Sequence, residues 1–145
     1  MIKVNVVCVG KLKENYWREA CAEYAKRLSR FCKIEVKELP ERASLEEEAA
    51  DILRFCRGHI IALAIEGSGC SSEVFARKLK GLCDRGEEIT FVIGSSCGLS
   101  SGVKAAAKEL LSFSEMTFPH QMMRVVLLEQ IYRAFMINAG AEYHK

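Results

Sequence analysis

The chain has 145 residues, of which 50% are hydrophobic, 28% are charged and only two are proline, and its formal net charge is +2. This length fits one domain whose core needs no disulfide or metal, and the composition excludes a disordered chain. The longest apolar run, residues 60–65, is far short of the roughly 20 residues that cross a membrane, and the N-terminus lacks a signal-peptide pattern. We therefore expect a single cytoplasmic domain over residues 1–145 with no membrane partner.

Strand and helix patterns alternate along the chain. Two-residue alternation and short buried runs predict strands, and apolar residues every three or four positions predict helices. Ser44 with Glu47 forms a capping-box pattern that opens the second helix, and Ser71 or Ser72 opens the third. The predicted strands are 2–9, 34–39, 60–65, 89–93 and 113–118, and the predicted helices are 14–31, 45–56, 72–83, 101–111 and 119–138. This order predicts an α/β fold, a three-layer sandwich with a mostly parallel sheet.

The last predicted helix is apolar around most of its circumference. Between Met122 and Ala139 its polar residues are few, and Glu129 and Arg133 form an i, i+4 pair on a narrow polar strip. One sheet buries one face of a helix, so a second covering surface is needed. We expect a homodimer that pairs through this helix. The alternative is a central core helix within one chain.

Seven cysteines raise the question of a metal site or a disulfide framework. Their number is odd, no pair has C-x-x-C spacing, and the three histidines do not accompany them. Zinc ligands usually come in close pairs, so we predict no metal and interpret the cysteines as small apolar side chains.

Positive charge is concentrated in the N-terminal part of the chain. Residues 1–37 contain nine Lys or Arg against four Glu, whereas residues 38–59 carry a net charge of −3. A basic surface of this kind is able to follow a phosphate backbone, although a solvated helix face has the same composition. Charge alone leaves both interpretations open.

Three strand ends are unusual and are candidates for ligand binding. They are residues 63–69, 94–98 and 113–120, which contain glycine, serine and proline next to buried strands. Ligands of parallel α/β sheets collect at the carboxyl ends of strands, where glycine lets the backbone approach closely. Neither G-x-G-x-x-G nor a P-loop is present, so a nucleotide-phosphate site is not supported.

Several segments carry a specific resemblance. Residues 8–13, 71–76, 89–94, 116–120, 128–135 and 143–145 read CVGKLK, SSEVFA, ITFVIG, MTFPH, LEQIYRAF and YHK. In this order, and from one end of the chain to the other, they resemble the RlmH family of the SPOUT superfamily. Ser95 and Ala64 depart from the glycine and aspartate that are common in that family.

The resemblance implies a homodimeric α/β methyltransferase with a C-terminal trefoil knot. It implies that S-adenosylmethionine is the cofactor and that N3 of pseudouridine 1915, in helix 69 of 23S rRNA on the ribosome, is the substrate. By position, the cofactor pocket would fall on the three strand ends selected above. Its residues would be Leu63, Gly94, Phe113, Ser114, Glu115, Met116, Thr117 and Phe118.

Methyl transfer requires that the enzyme orient the target N3 and that N3 lose its proton. This step needs either a base or hydrogen-bond donors that stabilise the negative charge on the flanking carbonyls. His144 is the candidate base, and Tyr143 would stack on the target base as part of a C-terminal tail; a frayed terminus is the alternative. Arg124 is a candidate to bind an RNA phosphate or to stabilise the developing anion, and the alternative is a surface salt bridge. His120 either contacts substrate or caps the last helix.

The expected RNA-binding residues are Lys11, Lys13, Arg18, His120 and Lys145. Two other classes compete with this interpretation. A non-catalytic ribosome-binding or RNA-binding dimer would keep the basic surface but bind no S-adenosylmethionine. A flavodoxin-like enzyme is supported only by the sheet pattern, and bound flavin would reveal it.

Overall fold

A computed structural model of the chain describes residues 1–144, except for the side chain of His144. Five strands and five α-helices alternate, as predicted. The strands are Lys3–Val9 (β1), Lys33–Leu39 (β2), His59–Ser68 (β3), Ile89–Ile93 (β4) and Glu109–Leu111 (β5). The helices are Asn15–Leu28 (α1), Leu45–Phe55 (α2), Ser72–Asp84 (α3), Ser101–Ala106 (α4) and His120–Asn138 (α5), followed by a 3-10 turn at Glu142–His144.

The strands form one sheet in the order β2-β1-β4-β3-β5, and all four pairings are parallel. The predicted parallel α/β sheet is thereby confirmed. Because every strand runs in the same direction, the carboxyl ends of all five strands lie at one edge of the sheet. The loops that follow β1, β3, β4 and β5 therefore emerge on the same side of the molecule.

Helices cover both faces of the sheet, which gives the expected three layers. Alternate residues of β1 face opposite sides: Val4 and Val6 pack with α1, α3 and α5, whereas Val7 and Val9 pack with α2 and α4. The serine cap predicted for α2 is present, since the Ser44 hydroxyl accepts a hydrogen bond from the Glu47 amide at 3.1 Å.

Helix α5 lies between α1 and α3. Seven of its residues are buried within the chain, among them Leu127, Leu128, Ile131 and Phe135. The neighbouring helices therefore account for much of the apolar circumference that the sequence displays. By helical spacing, the stripe opposite this buried side contains Met122, Val126, Glu129 and Arg133, all of them half-buried.

The boundaries predicted around residues 101–118 are wrong. Helix α4 ends at Ala106 rather than at Leu111, and the expected strand 113–118 is a loop; the strand is Glu109–Leu111. Residues 105–111 read AAAKELL, and these residue types have a local preference for helix. Pairing with β3 overrides that preference, beginning with the hydrogen bond from the Lys108 amide to the Ile60 carbonyl at 2.8 Å.

Strand β3 is longer than predicted and is irregular near its end. Leu63 and Ser68 both align with Leu111 of β5, so the chain between them bulges out of the pairing. Gly67 lies against the backbone of β5: a Cβ atom there would be 2.6 Å from both the carbonyl carbon and the carbonyl oxygen of Leu110. Only glycine allows this approach.

We predict that Gly67→Ala lowers the free energy of unfolding by about 1–3 kcal/mol, because β3 and β5 must separate to admit the methyl group. Urea denaturation followed by circular dichroism measures the change. Gly81→Ala is the matched control: Gly81 is in α3, and its added Cβ would meet nothing closer than Arg85 Nη1 at 3.7 Å. Equal stabilities of the two variants would contradict the prediction.

Candidate functional site

A pocket of about 420 Å³ opens at the carboxyl ends of β3, β4 and β5. This volume lies within the range of small-molecule sites, and its position at strand ends is the usual one for parallel sheets. The pocket is lined by residues 63–66, 93–96, 98–99, 111–114 and 116–120, together with Lys104 and Met123. The three strand ends selected from the sequence thus come together around one cavity.

The predicted cofactor residues all line this pocket except one. Leu63, Gly94 and Phe113 lie on its walls, as do Ser114, Met116, Thr117 and Phe118. Glu115 does not line it and is exposed. The sequence reasoning missed Lys104 and Met123, and it included Glu66 only as part of the strand end 63–69. These residues come from the β3 bulge, from α4 and from the first turns of α5, which no local pattern relates to one another.

The turn after β4 requires glycine for a steric reason. A Cβ on Gly94 would lie 2.4 Å from the carbonyl oxygen of Gly98, and Gly98 itself has φ +87°. The turn is closed by a hydrogen bond from the Gly98 amide to the Ser95 carbonyl at 2.9 Å. Ser95 is accommodated because its hydroxyl donates to Glu48 Oε1 at 3.1 Å. The departure at Ser95 therefore leaves the turn intact.

The loop between β5 and α5 forms the opposite wall. Its backbone is fixed by the hydrogen bond from the Ser112 amide to the Ser68 carbonyl at 3.0 Å, and by the Ser114 hydroxyl, which accepts from the Met116 amide at 2.9 Å. Met116 is 74% exposed and Phe118 is 39% exposed. Large apolar side chains at a pocket mouth are suited to cover an apolar part of a ligand.

One ion pair lies at the wall of the pocket. Lys104 Nζ and Glu66 Oε1 are 2.5 Å apart, and within residues 1–144 no other Lys, Arg, Asp or Glu lines the cavity. The hydrogen bond from Lys104 lowers the pKa of the Glu66 carboxyl below its ordinary value. The cavity therefore combines mostly apolar walls with one acidic and one basic group.

Lys11 and Lys13 are exposed in the loop after β1, and Arg18 is exposed on α1. Arg18 Nη1 donates to the Leu12 carbonyl at 2.7 Å and to the Lys13 carbonyl at 3.1 Å. His120 links this loop to the pocket: it lines the cavity, and a Cβ on Gly10 would be 3.5 Å from its Nε2. Four of the five residues expected to bind RNA are thus within the described part of the chain; Lys145 lies outside it.

Arg124, the candidate to contact phosphate or the developing anion, lies in the interior of the chain. Arg124 is 1% exposed; it forms a salt bridge with Glu38 and donates from Nη2 to the Gly10 carbonyl at 3.0 Å. Arg124 belongs to the buried stripe of α5, together with Leu127, Leu128 and Ile131. The sequence could not show this, since Glu38 is 86 residues away.

Tyr143 packs against the second half of α5. Its hydroxyl donates to Glu129 Oε1, its ring meets Tyr132 at a centroid distance of 5.0 Å, and Arg133 lies 4.8 Å above it. The hydrogen bond to Glu129, followed by burial, raises the pKa of Tyr143 to about 12, so the phenol stays protonated. The pocket meets α5 at Met123, roughly 14 Å along the helix from Tyr132 at 1.5 Å per residue. The side chain of His144 lies outside the described residues.

All seven cysteines are free thiols, and burial raises the pKa of Cys8 and of Cys32 to about 12, which leaves them unreactive. Within residues 1–144, no group of three or more His, Cys, Asp or Glu side chains is arranged to hold a metal ion. In the same part of the chain, no helix is long and apolar enough to span a membrane.

Comparisons with known proteins agree with this architecture. A family described as "Predicted SPOUT methyltransferase" matches residues 2–144. The chain is 47% identical to "Ribosomal RNA large subunit methyltransferase H" of Lactobacillus delbrueckii subsp. bulgaricus, with 99% of this chain and 100% of that protein covered. It is 49% identical to the protein of the same name from Streptococcus gordonii, with the same coverage of both chains.

Solved structures are similar at the level of the fold alone. A probable methylase family protein from Haemophilus influenzae Rd KW20 has a TM-score of 0.62 and 11% identity, with 100% of this chain and 72% of that chain covered. The SpoU methyltransferase AviRb from Streptomyces viridochromogenes, solved with AdoMet, has a TM-score of 0.53 and 10% identity, with 97% of this chain and 59% of that chain covered.

We predict that Lys104→Met raises the pKa of Glu66 towards its ordinary value, because the ammonium group that favours the ionised carboxylate is removed. In the unaltered protein the lowered pKa keeps the ion pair intact until the pH falls below the usual range of glutamate. NMR titration of the Glu66 carboxyl carbon measures the change. Lys80→Met, which removes the partner of Asp84 on α3, serves as the control. An unchanged Glu66 titration in Lys104→Met would refute the prediction.

Proposed function

Because the chain belongs to the SPOUT methyltransferase family, and within it to the ribosomal RNA large subunit methyltransferases H, we propose that it methylates N3 of pseudouridine 1915 in helix 69 of 23S rRNA, using S-adenosylmethionine. The relatives' name supports the RNA substrate, and the neighbour solved with AdoMet supports the cofactor. The observation that carries the proposal is the single pocket in which three strand ends meet. An assembled ribosome is the proposed substrate particle.

The pocket fits this cofactor in size and in chemistry. Its walls include Leu63, Phe113 and Phe118, which suit a flat adenine ring, and Gly94, which has no side chain, contributes main-chain atoms alone. We propose that Leu63, Gly94, residues 113–114 and residues 116–118 bind the cofactor, whereas Glu115, the remaining predicted cofactor residue, does not line the pocket. When bound, S-adenosylmethionine supplies a methyl group on a positively charged sulfur. The trefoil knot of the family is part of the same proposal.

The protein's own residues must hold the target base in line and help N3 lose its proton. Orientation of the two reactants contributes up to about 7–11 kcal/mol to such displacements. His120 borders the pocket and is proposed to contact the RNA. His144 is proposed as the proton acceptor and Lys145 as a phosphate contact. Tyr143, with its raised pKa, acts by stacking and by donating a hydrogen bond, and not as a tyrosinate base.

A second copy of the chain completes this site in our proposal. Tyr143 lies along the part of α5 that contains Glu129 and Arg133, well away from the pocket of its own chain. The same two residues belong to the outward stripe of α5 with Met122 and Val126. If two copies pair along this stripe, the tail of one copy lies beside the second copy. Such pairing supports a tail that covers the RNA base in the pocket of the other subunit.

The basic loop after β1 is the proposed RNA dock. Lys11, Lys13 and Arg18 are exposed, and His120 connects the loop to the pocket. Phosphate contacts of lysine and arginine release counterions, so binding of this kind weakens steeply as salt increases. An affinity for ribosomes that barely changes with salt would remove the dock from the proposal.

The function is tested on 23S rRNA. Ribosomes from cells that lack this protein are incubated with the purified protein and S-adenosylmethionine, and mass spectrometry locates the added methyl group. We expect one methyl group at pseudouridine 1915.

Gly94→Ala should weaken binding of S-adenosylhomocysteine at least tenfold and slow methylation, because its Cβ would collide with Gly98. Gly102→Ala is the control, since its Cβ would be 3.7 Å from Ser100 Oγ. If the unaltered protein adds a methyl group at another position of the rRNA, or adds none, the proposed function is refuted.

Deletion of residues 143–145 tests the tail separately. We expect methylation to be lost, since the proposed base, stacking and phosphate groups are removed together, while calorimetry still detects S-adenosylhomocysteine binding and light scattering still detects a dimer. Tyr143→Phe keeps the ring and removes the hydrogen bond to Glu129, so it should retain part of the activity. Unchanged turnover of the deleted protein on ribosomes would disprove the role of the tail.

A further inference from the structure

Four side chains from other parts of the fold form hydrogen bonds with the backbone of the loop that follows β1. Residues 10–13 have no regular secondary structure, and Gly10 has φ +99°. Leu12 is buried and anchors the middle of the loop, whereas Lys11 and Lys13 on either side of it are exposed. A loop of this kind is usually mobile unless its backbone groups are bonded.

Three elements supply those bonds. From α5, Arg124 Nη2 donates to the Gly10 carbonyl at 3.0 Å, and Gln121 Oε1 accepts from the Lys13 amide at 3.0 Å. From β2, Glu38 Oε2 accepts from the Leu12 amide at 3.2 Å and from Arg124 Nη1.

From α1, Arg18 donates to the carbonyls of Leu12 and Lys13. The amide and the carbonyl of Gly10, Leu12 and Lys13 are therefore all bonded, since the Gly10 amide also donates to the Leu39 carbonyl at 2.7 Å.

Burying the guanidinium group of Arg124 in this part of the core costs free energy. Its guanidinium group is buried, and within residues 1–144 no hydrogen-bond partner is found for its Nε. Replacing a buried ion pair by apolar side chains is often neutral or stabilising, so packing alone does not account for an arginine here. What an arginine provides, and a lysine or methionine does not, is a planar fork that bonds a carboxylate and a carbonyl at fixed angles.

The first two turns of α5 serve two sites at once. His120 and Met123 line the pocket, while Gln121 and Arg124, one residue further along in each case, bond the loop. The loop that contains the exposed residues Lys11 and Lys13 is thereby bonded to the same helix that forms part of the pocket wall.

We propose that Arg124, with Glu38 and Gln121, is a positioning residue that fixes the loop 10–13 so that Lys11 and Lys13 bind two phosphates of the RNA backbone in register with the pocket. This inference rests on the proposed function, because the RNA phosphates are those of the methylated RNA. Arg124 touches neither RNA nor cofactor in this role. It acts through the two lysines.

The test is a double-mutant cycle on ribosome binding. Arg124→Lys and Gln121→Ala should each weaken binding of ribosomes and raise their KM about tenfold, with little change in kcat and no change in the affinity for S-adenosylhomocysteine. Lys11→Met combined with Lys13→Met should weaken binding at least as much and lower the slope of log affinity against log salt by up to about 2.

In that double lysine background, Arg124→Lys should have no further effect on ribosome affinity, because residues that act through one another are not additive. Arg85→Lys, at a surface pair with Glu87, is the matched control and should leave every reading unchanged. An equal loss from Arg124→Lys in both backgrounds, or a parallel loss of S-adenosylhomocysteine binding, overturns the inference.

Amide hydrogen exchange distinguishes failure of the inference from failure of the proposed function. The amides of Leu12 and Lys13 should exchange slowly in the unaltered protein and at least tenfold faster in Arg124→Lys and Gln121→Ala, respectively. Unprotected loop amides in the unaltered protein overturn the inference whatever the enzyme methylates. Protected amides in a protein that methylates no rRNA overturn the proposed function, and the inference with it.

Discussion

The pairing of β5 with β3 is the constraint on which the candidate site depends. Three residues, Glu109–Leu111, join the edge of the sheet, and a further hydrogen bond from the Ser112 amide to the Ser68 carbonyl extends the contact past the bulge. This short pairing turns residues 112–119 over the ends of β3 and β4. Without it the three strand ends would remain separate loops, and no cavity would form between them. Gly67 matters for the same reason, since it allows the two backbones to approach.

Apolar residues at the strand ends have a different role from those in the middle of the sheet. Ile61 and Ala62 of β3 are covered on both sides, whereas Leu63 and Ile65 of the same apolar run line the pocket. A run that is continuous in sequence is therefore divided between core and cavity. Burial of such a run supplies stability, and the part left open supplies walls for a ligand.

Helix α5 connects the remaining parts of the proposed site. Its first turns contribute to the pocket through His120 and bond the basic loop through Arg124 and Gln121. Its second half receives the C-terminal tail through Glu129 and Tyr132. Much of the apolar circumference that first indicated a dimer is buried between α1 and α3, and the stripe on the opposite side of the helix is half-buried. The homodimer stays a prediction, as does the trefoil knot.

The sequence alone determined the α/β class, the alternation of five strands with five helices, the parallel sheet and the three strand ends that line the pocket. These features depend on periodicity, caps and glycine positions, which are local. The pairing at β5, the burial of Arg124 against Glu38 and the inclusion of Lys104 in the pocket were decided by tertiary structure only. Each joins residues at least 38 positions apart or overrides a local helical preference, because side-chain burial and strand pairing depend on what the rest of the chain brings alongside.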